Sequence, residues 1–286
     1  LGYFEFMLNS ILLPVDESAP FEAAFATAIA LLDLSPAQAQ IDALYVLSVS
    51  RRKGHLLEDL SGMLGFEPVL VPEKVEAWYR EKGEKMLAKV VSRTQDAGHS
   101  VKAVFDQGAV LDRVLHHASG ADLVVAGVGE GGVVALSGQG EIMAARFLKR
   151  VGTTVLLAAG QPVGFQGICL GFDGSDGSKC ALRSTRRLAS LAQCPVRVVY
   201  AHDGRQPRDF DPTPHALEVL QEAGIEATAS CQVGEAPEVL QAECQRLGFE
   251  LLAVGYRGRA GSNGRFLGRV TESLADEMAL GLLVSR

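Results

Sequence analysis

Leu251-Leu252-Ala253-Val254-Gly255-Tyr256-Arg257-Gly258, followed after nine further residues by Gly268-Arg269-Val270-Thr271, is the stretch that decides how this chain folds. Four apolar residues running straight into glycine predict a buried strand, and residues 272–278 predict a helix behind the loop. A glycine loop between such a strand and a helix is suited to holding phosphate. Glycine lets an anion reach the main chain, while the free N–H groups and dipole of the helix attract negative charge. Arg257, Arg265 and Arg269 bring positive charge to the same segment. The same glycines also serve as plain turn residues, so the rest of the chain has to decide between the two readings.

A related pattern lies upstream. Ile11-Leu12-Leu13-Pro14-Val15-Asp16-Glu17-Ser18 and Ile168-Cys169-Leu170-Gly171-Phe172-Asp173-Gly174-Ser175 are both short apolar strands ending in Asp-x-Ser. Each precedes an alanine-rich helical segment, 21–32 and 179–191, with Ser or Asp placed to cap its first turn. β-Branched strands follow at 41–49 and 195–202. Strands at 101–105 and 225–233, helices at 110–117 and 236–245, and buried strands at 121–126 and 249–254 continue the parallel. Apolar runs at 153–158 and 280–284 close each unit.

Strands alternating with helices predict an α/β fold, with a parallel sheet covered by helices on both faces. The expected organisation is two tandem α/β domains, 7–158 and 168–286, joined by the Gly- and Pro-rich linker 159–167. Only the first carries an insert, 51–79, with Arg51-Arg52-Lys53 and an apolar stretch at 64–71. It reads as a lid, an interface element or an ordinary long loop.

Composition narrows the function classes. The chain has 286 residues, enough for two domains, and 48% of them are hydrophobic, enough to give each a core. A formal net charge of -7 argues against general nucleic-acid binding, which requires a basic surface. No apolar run reaches the roughly 18 residues of a membrane helix, and the first residues lack the basic region of a signal peptide. A cytoplasmic location is the expectation. Met7 stands directly before the first strand, so residues 1–6 read either as an addition or as native sequence from an upstream start. The five cysteines, Cys169, Cys180, Cys194, Cys231 and Cys244, contain no C-x-x-C pair and read as small hydrophobes rather than a zinc or redox site.

The strand ending in Asp-Gly-Ser, the size of each α/β unit and the late G-x2-G-x9-G loop together resemble the universal stress protein (UspA-like) family. Two copies in one chain resemble its tandem members. The resemblance implies an open five-stranded, Rossmann-like parallel sheet in each domain, and ATP or a related adenine nucleotide, with or without Mg2+, bound beyond the carboxyl ends of the strands. Open α/β sheets place ligands there in general. It further implies that Asp173 meets the adenosine part, with Gly171 and Phe172 beside it, and that Ala201 lies against adenine. Gly255, Arg257 and Gly258 would wrap the ribose and phosphates, and Gly268, Arg269, Val270 and Thr271 would meet phosphate at the helix start. Arg269 departs from the family, which has Ser or Thr directly after the third glycine; arginine neutralises phosphate but is far larger than a hydroxyl.

The first half departs further. Pro14, Val15 and Asp16 fit the first-strand pattern and Val46 the adenine position. The loop, however, reads Gly127-Val128-Gly129-Glu130, then nine residues, then Gly140-Glu141. Carboxylates at two of the phosphate positions predict poor binding of a triphosphate, and a flexible loop at 127–132.

Other signals carry less. His116 and His117 point about 100° apart on a helix and seldom share a metal. His202 touches a ligand or simply ends a strand. No nucleophile, base and orienting group share a suggestive spacing and no G-x-x-x-x-G-K-[ST] loop is present, so no catalytic residues, no metal site and at most slow ATP hydrolysis are expected. Three roles remain: a nucleotide-dependent stress-response regulator, an enzyme of the ATP-pyrophosphatase type, or a scaffold for protein or small apolar ligands. The resemblance also implies an intramolecular pseudo-dimer in which 153–158 faces 280–284, with further pairing into a homodimer left open.

Overall fold

The computed structural model describes residues 8–35, 38–48, 72–136, 142–204, 210–258, 267–277 and 279–286. Residues 51–71 of the expected insert, Gly140, Glu141, Arg265 and residues 1–6 lie outside them.

The first half runs β1 (Ser10–Pro14), α1 (Ala19–Leu34), β2 (Gln40–Leu47), α2 (Pro72–Asp96), β3 (Ser100–Gln107), α3 (Val110–Ala118) and β4 (Leu123–Val128). A 3-10 turn at Glu130–Gly132, the short strands β5 (Val133–Ala135) and β6 (Ile142–Met143), α4 (Ala144–Arg150) and β7 (Val155–Ala159) complete it. The second half runs β8 (Ile168–Gly171), α5 (Asp176–Ala192), β9 (Val196–His202), α6 (Thr213–Glu222), β10 (Ala227–Val233), α7 (Ala236–Leu247), β11 (Leu251–Gly255), α8 (Arg269–Asp276) and β12 (Gly281–Ser285).

Local chemistry starts the first helix of each half in the same way. The hydroxyl oxygen of Ser18 accepts from the Phe21 N–H at 3.2 Å, and that of Ser175 accepts from the Ser178 N–H at the same distance. These bonds satisfy one of the first-turn donors that a helix cannot satisfy itself. Asp16 and Asp173 stand two residues earlier, each accepting from the serine N–H.

The strands are ordered β3-β2-β1-β4-β7 in the first half and β10-β9-β8-β11-β12 in the second. Within each half the strands on this path are parallel. The two expected sheets are one continuous sheet, because β7 and β12 pair antiparallel with Leu157 opposite Leu282, Leu156 opposite Leu283 and Val155 opposite Val284.

Alternating side chains feed two cores. Ile11 and Leu13 point to the face covered by α1, α2, α5 and α6, whereas Leu12 points to the face covered by α3, α4, α7 and α8. Three helices, α2, α4 and α6, were not among the expected elements, and residues 72–79 of the expected insert belong to α2. The loop expected to be flexible at 127–132 holds the end of β4 and the 3-10 turn, and β5 folds back antiparallel on β4. No helix among the described residues is long and apolar enough to cross a membrane.

Candidate functional site

In each half the chain adds strands first to one side of its opening strand and then to the other. A crevice must form between β1 and β4, and between β8 and β11, where successive connections part to opposite faces. In the second half this crevice is an open cleft of about 140 Å³. Gly171, Phe172 and Asp173 line it from the end of β8, and Val199, Tyr200 and Ala201 from β9. Val254 and Gly255 of β11 form its floor with Arg257 and Gly258 just beyond, and Val270 and Thr271 reach it from the first turn of α8. Ala236 and Leu240 of α7 and Ser178 of α5 complete the wall.

Nine of the eleven second-half residues expected at a ligand therefore share one cleft. Gly268 and Arg269 are not in its lining: Gly268 caps α8, and the first helical residue, Arg269, has an exposed side chain. The large arginine thus stands outside the space that the family's hydroxyl residue was expected to share with phosphate. Ser178, Val199, Tyr200, Ala236, Leu240 and Val254 line the cleft without having been singled out. Apart from Ser178, a small polar residue in the first turn of α5, they read as core, and nothing in their spacing separates cleft wall from interior.

Close main-chain approach holds the floor in place. A Cβ on Gly255 would collide with the backbone of Gly177 in the first turn of α5, and a Cβ on Gly177 would collide with the carbonyl of Arg257. Glycine at both positions lets a helix start and a strand end touch through their main chains. The Thr271 hydroxyl donates to the Gly255 carbonyl at 2.8 Å, and the Gly268 N–H donates to the Tyr256 carbonyl at 2.9 Å. The proton of Thr271 is thus committed to the loop. Gly268 supplies no side-chain cap, so the first N–H groups of α8 receive no side-chain acceptor there, unlike those of α5.

Asp173 and Arg257 are the charged side chains among the described lining residues. One Asp173 carboxylate oxygen accepts from Ser175 N–H at 3.0 Å, and the other lies 3.0 Å from where a Cβ on Gly258 would sit. Among the described residues Arg257 is the one cation in an otherwise mostly apolar lining. Among the described residues such a cleft offers an apolar slot, one carboxylate acceptor and a cationic glycine-bordered end. Among the described residues no three His, Cys, Asp or Glu side chains gather as a metal site.

The first-half crevice is built differently. Pro14, Val15 and Asp16 end β1 as Gly171, Phe172 and Asp173 end β8, Val46 takes the place of Ala201, and Gly127 packs on the Pro20 carbonyl as Gly255 packs on Gly177. Beyond Gly127, however, β5 returns along β4, pairing Gly127 with Ala135 and Val128 with Val134. Val134 and Leu136 are each 1% exposed and join Leu12, Val46, Val110 and Val114 in one apolar cluster. Glu130, one of the two carboxylates expected to repel phosphate, is exposed in the 3-10 turn. Apolar filling thus stands beside charge as a reason for this half to differ.

Residues 164–286 match the model of the universal stress protein family. The second half is a universal stress protein domain. The first half repeats its strand order. Among solved structures, a universal stress protein from Archaeoglobus fulgidus superposes over 98% of this chain and 99% of its own, at 17% identity and a TM-score of 0.72. A putative universal stress protein from Pseudomonas aeruginosa covers 98% of this chain and 94% of its own, at 16% identity and a TM-score of 0.55. A functionally unknown protein from Pseudomonas aeruginosa PAO1 covers 98% and 93% at 16% identity and a TM-score of 0.56. At these identities the likeness is one of fold across both halves. No curated protein matches the chain.

Proposed function

We propose that the chain binds ATP or a related adenine nucleotide in the cleft of its universal stress protein domain, and acts as a nucleotide-dependent regulator in a cytoplasmic stress response. The reading rests on one observation: the switch-point cleft between β8 and β11 is lined together by Asp173, Ala201, Gly255, Arg257, Gly258 and the start of α8. An apolar slot suits a purine, Asp173 suits a hydrogen-bond donor of the nucleoside, and uncapped N–H groups with Arg257 suit phosphate. The first half, 7–158, is read as a degenerate domain that keeps the fold and fills its own crevice, so one nucleotide is bound per chain. Any ATP hydrolysis is slow, because the described lining residues supply no nucleophile and base in register.

Calorimetric titration of the full chain with ATP tests this reading. Saturable binding at one site is expected, weakened at least tenfold by Asp173→Ala and by Gly268→Glu; undiminished binding in both variants would remove the site from this cleft. The apolar floor supports a second reading, a small apolar ligand. Mass spectrometry of small molecules released from the purified protein separates the two, since it assumes neither.

A further inference from the structure

The loop at each crevice rests on the last helix of the other half. Tyr256, directly after Gly255, is 5% exposed, and two guanidinium groups approach its ring: Cζ of Arg257 is 5.2 Å and Cζ of Arg286 is 3.8 Å from the ring centroid. Arg286 donates through Nη2 to the carbonyls of Leu148 at 3.2 Å and Lys149 at 3.4 Å, and the Tyr256 hydroxyl also lies 3.4 Å from the Lys149 carbonyl. Those carbonyls belong to the last turn of α4, where a helix has no partners of its own and carries the negative end of its dipole. A guanidinium placed there and stacked on an aromatic ring gains from both contacts.

The reverse contact is made by the first half. A Cβ on Gly132 would sit 3.4 Å from the carbonyls of Ala275 and Asp276 at the end of α8. Between these two contacts, Lys149 of α4 pairs with Glu272 of α8. Helix α8 therefore begins in the cleft, at Val270 and Thr271, and ends against the first half.

We infer that Tyr256 and Arg286 are positioning residues through which the first half sets the affinity of the second-half cleft. The inference rests on the nucleotide reading of that cleft. Arg286 and Lys149 are absent from the lining, so their influence runs through the placement of Arg257, Gly258 and α8. Linkage is reciprocal: if the α4 contact favours the binding geometry, nucleotide must in turn tighten the α4 contact.

The test uses the full chain, with ATP as probe, read by calorimetry and by amide hydrogen exchange. ATP is expected to slow exchange at residues 148–151, far from the cleft in sequence. Arg286→Ala is expected to weaken ATP binding about fivefold to twentyfold, within the usual span of coupling energies, and to abolish that protection. Arg286→Lys, which keeps the charge at the helix end and loses the planar stack, falls between, and it carries the comparison should the alanine variant fail to fold. Unchanged affinity in a folded Arg286 variant, or ATP binding without protection at 148–151, overturns the inference and leaves the nucleotide site standing. No ATP binding by the unaltered chain removes both.

Discussion

Thr271 and Gly255, sixteen residues apart, are joined by a hydrogen bond of 2.8 Å from the threonine hydroxyl to the glycine carbonyl, and Thr271 is 2% exposed. The bond ties the first turn of α8 to the end of β11 beneath the cleft. Thr271→Val keeps the shape and leaves a buried acceptor unsatisfied, at an expected cost of about 1–3 kcal/mol. Thr271→Ser keeps the bond. Urea unfolding of the two variants checks this, and equal midpoints would show that the hydroxyl holds nothing.

Gly255→Ala is expected to be more damaging than its single methyl suggests. The new Cβ would meet the Gly177 backbone, which cannot rotate away as a side chain can. Overpacking typically costs about 1–3 kcal/mol, and the upper end is expected where rigid backbone is the neighbour. Gly127→Ala, against the Pro20 carbonyl, should behave alike in the first half. Thermal unfolding gives the comparison; an unchanged midpoint in either variant contradicts the close approach.

Leu136 tests the filled crevice. Leu136→Ala is expected to cost about 2–5 kcal/mol, since it empties a site that is 1% exposed. The stoichiometry of ATP binding should remain one, because the second cleft is untouched. A negligible loss of stability would mean that the first crevice does not depend on its apolar filling.

Glu243 on α7 supplies a pH signature. Hydrogen bonds from Arg246, then from Arg197, hold its carboxyl at about 2 against an ordinary 4.5. The folded value lies below the unfolded one, so the stabilisation is fully present above about pH 5 and is lost as pH falls through 4.5 toward 2. Its size is on the order of a few kcal/mol. Stability measured from pH 6 to pH 2 should therefore fall more steeply in the unaltered chain than in Glu243→Gln. Parallel curves would show that the carboxylate is not held by these arginines.

Much of this architecture is legible in the residues. The Asp-x-Ser endings at Asp16 and Asp173 reveal the duplication, because a strand end and a helix cap compressed into a few residues leave little freedom. The runs into Gly127 and Gly255 reveal the switch-point strands. What escapes has physical reasons. Helix α2 carries charge along much of its length, with Lys85 paired to Glu81 and Lys82 to Glu17, so its apolar stripe is thin. Helix α6 opens at Thr213-Pro214, after Pro212, and reads as a turn. The fold of β5 onto β4 is invisible because Val133-Val134-Ala135-Leu136 is too short to announce a strand inside a glycine-rich loop. Arg269 is next to a motif glycine in sequence, yet the rotation of one helical position carries it out of the cleft.

The antiparallel seam between β7 and β12 has a consequence for how such a chain can change. Two separate chains meeting through identical surfaces must alter both copies at once, because every substitution is mirrored across the axis. Here Val155, Leu156 and Leu157 face Val284, Leu283 and Leu282 within one polypeptide, so each strand drifts alone. Residues 160–167, all that lie between β7 and β8, keep the partners at an effective concentration on the order of millimolar. Neither half has to find the other or to resemble it. Covalent joining thereby leaves one crevice free to hold valine and leucine while its twin stays open.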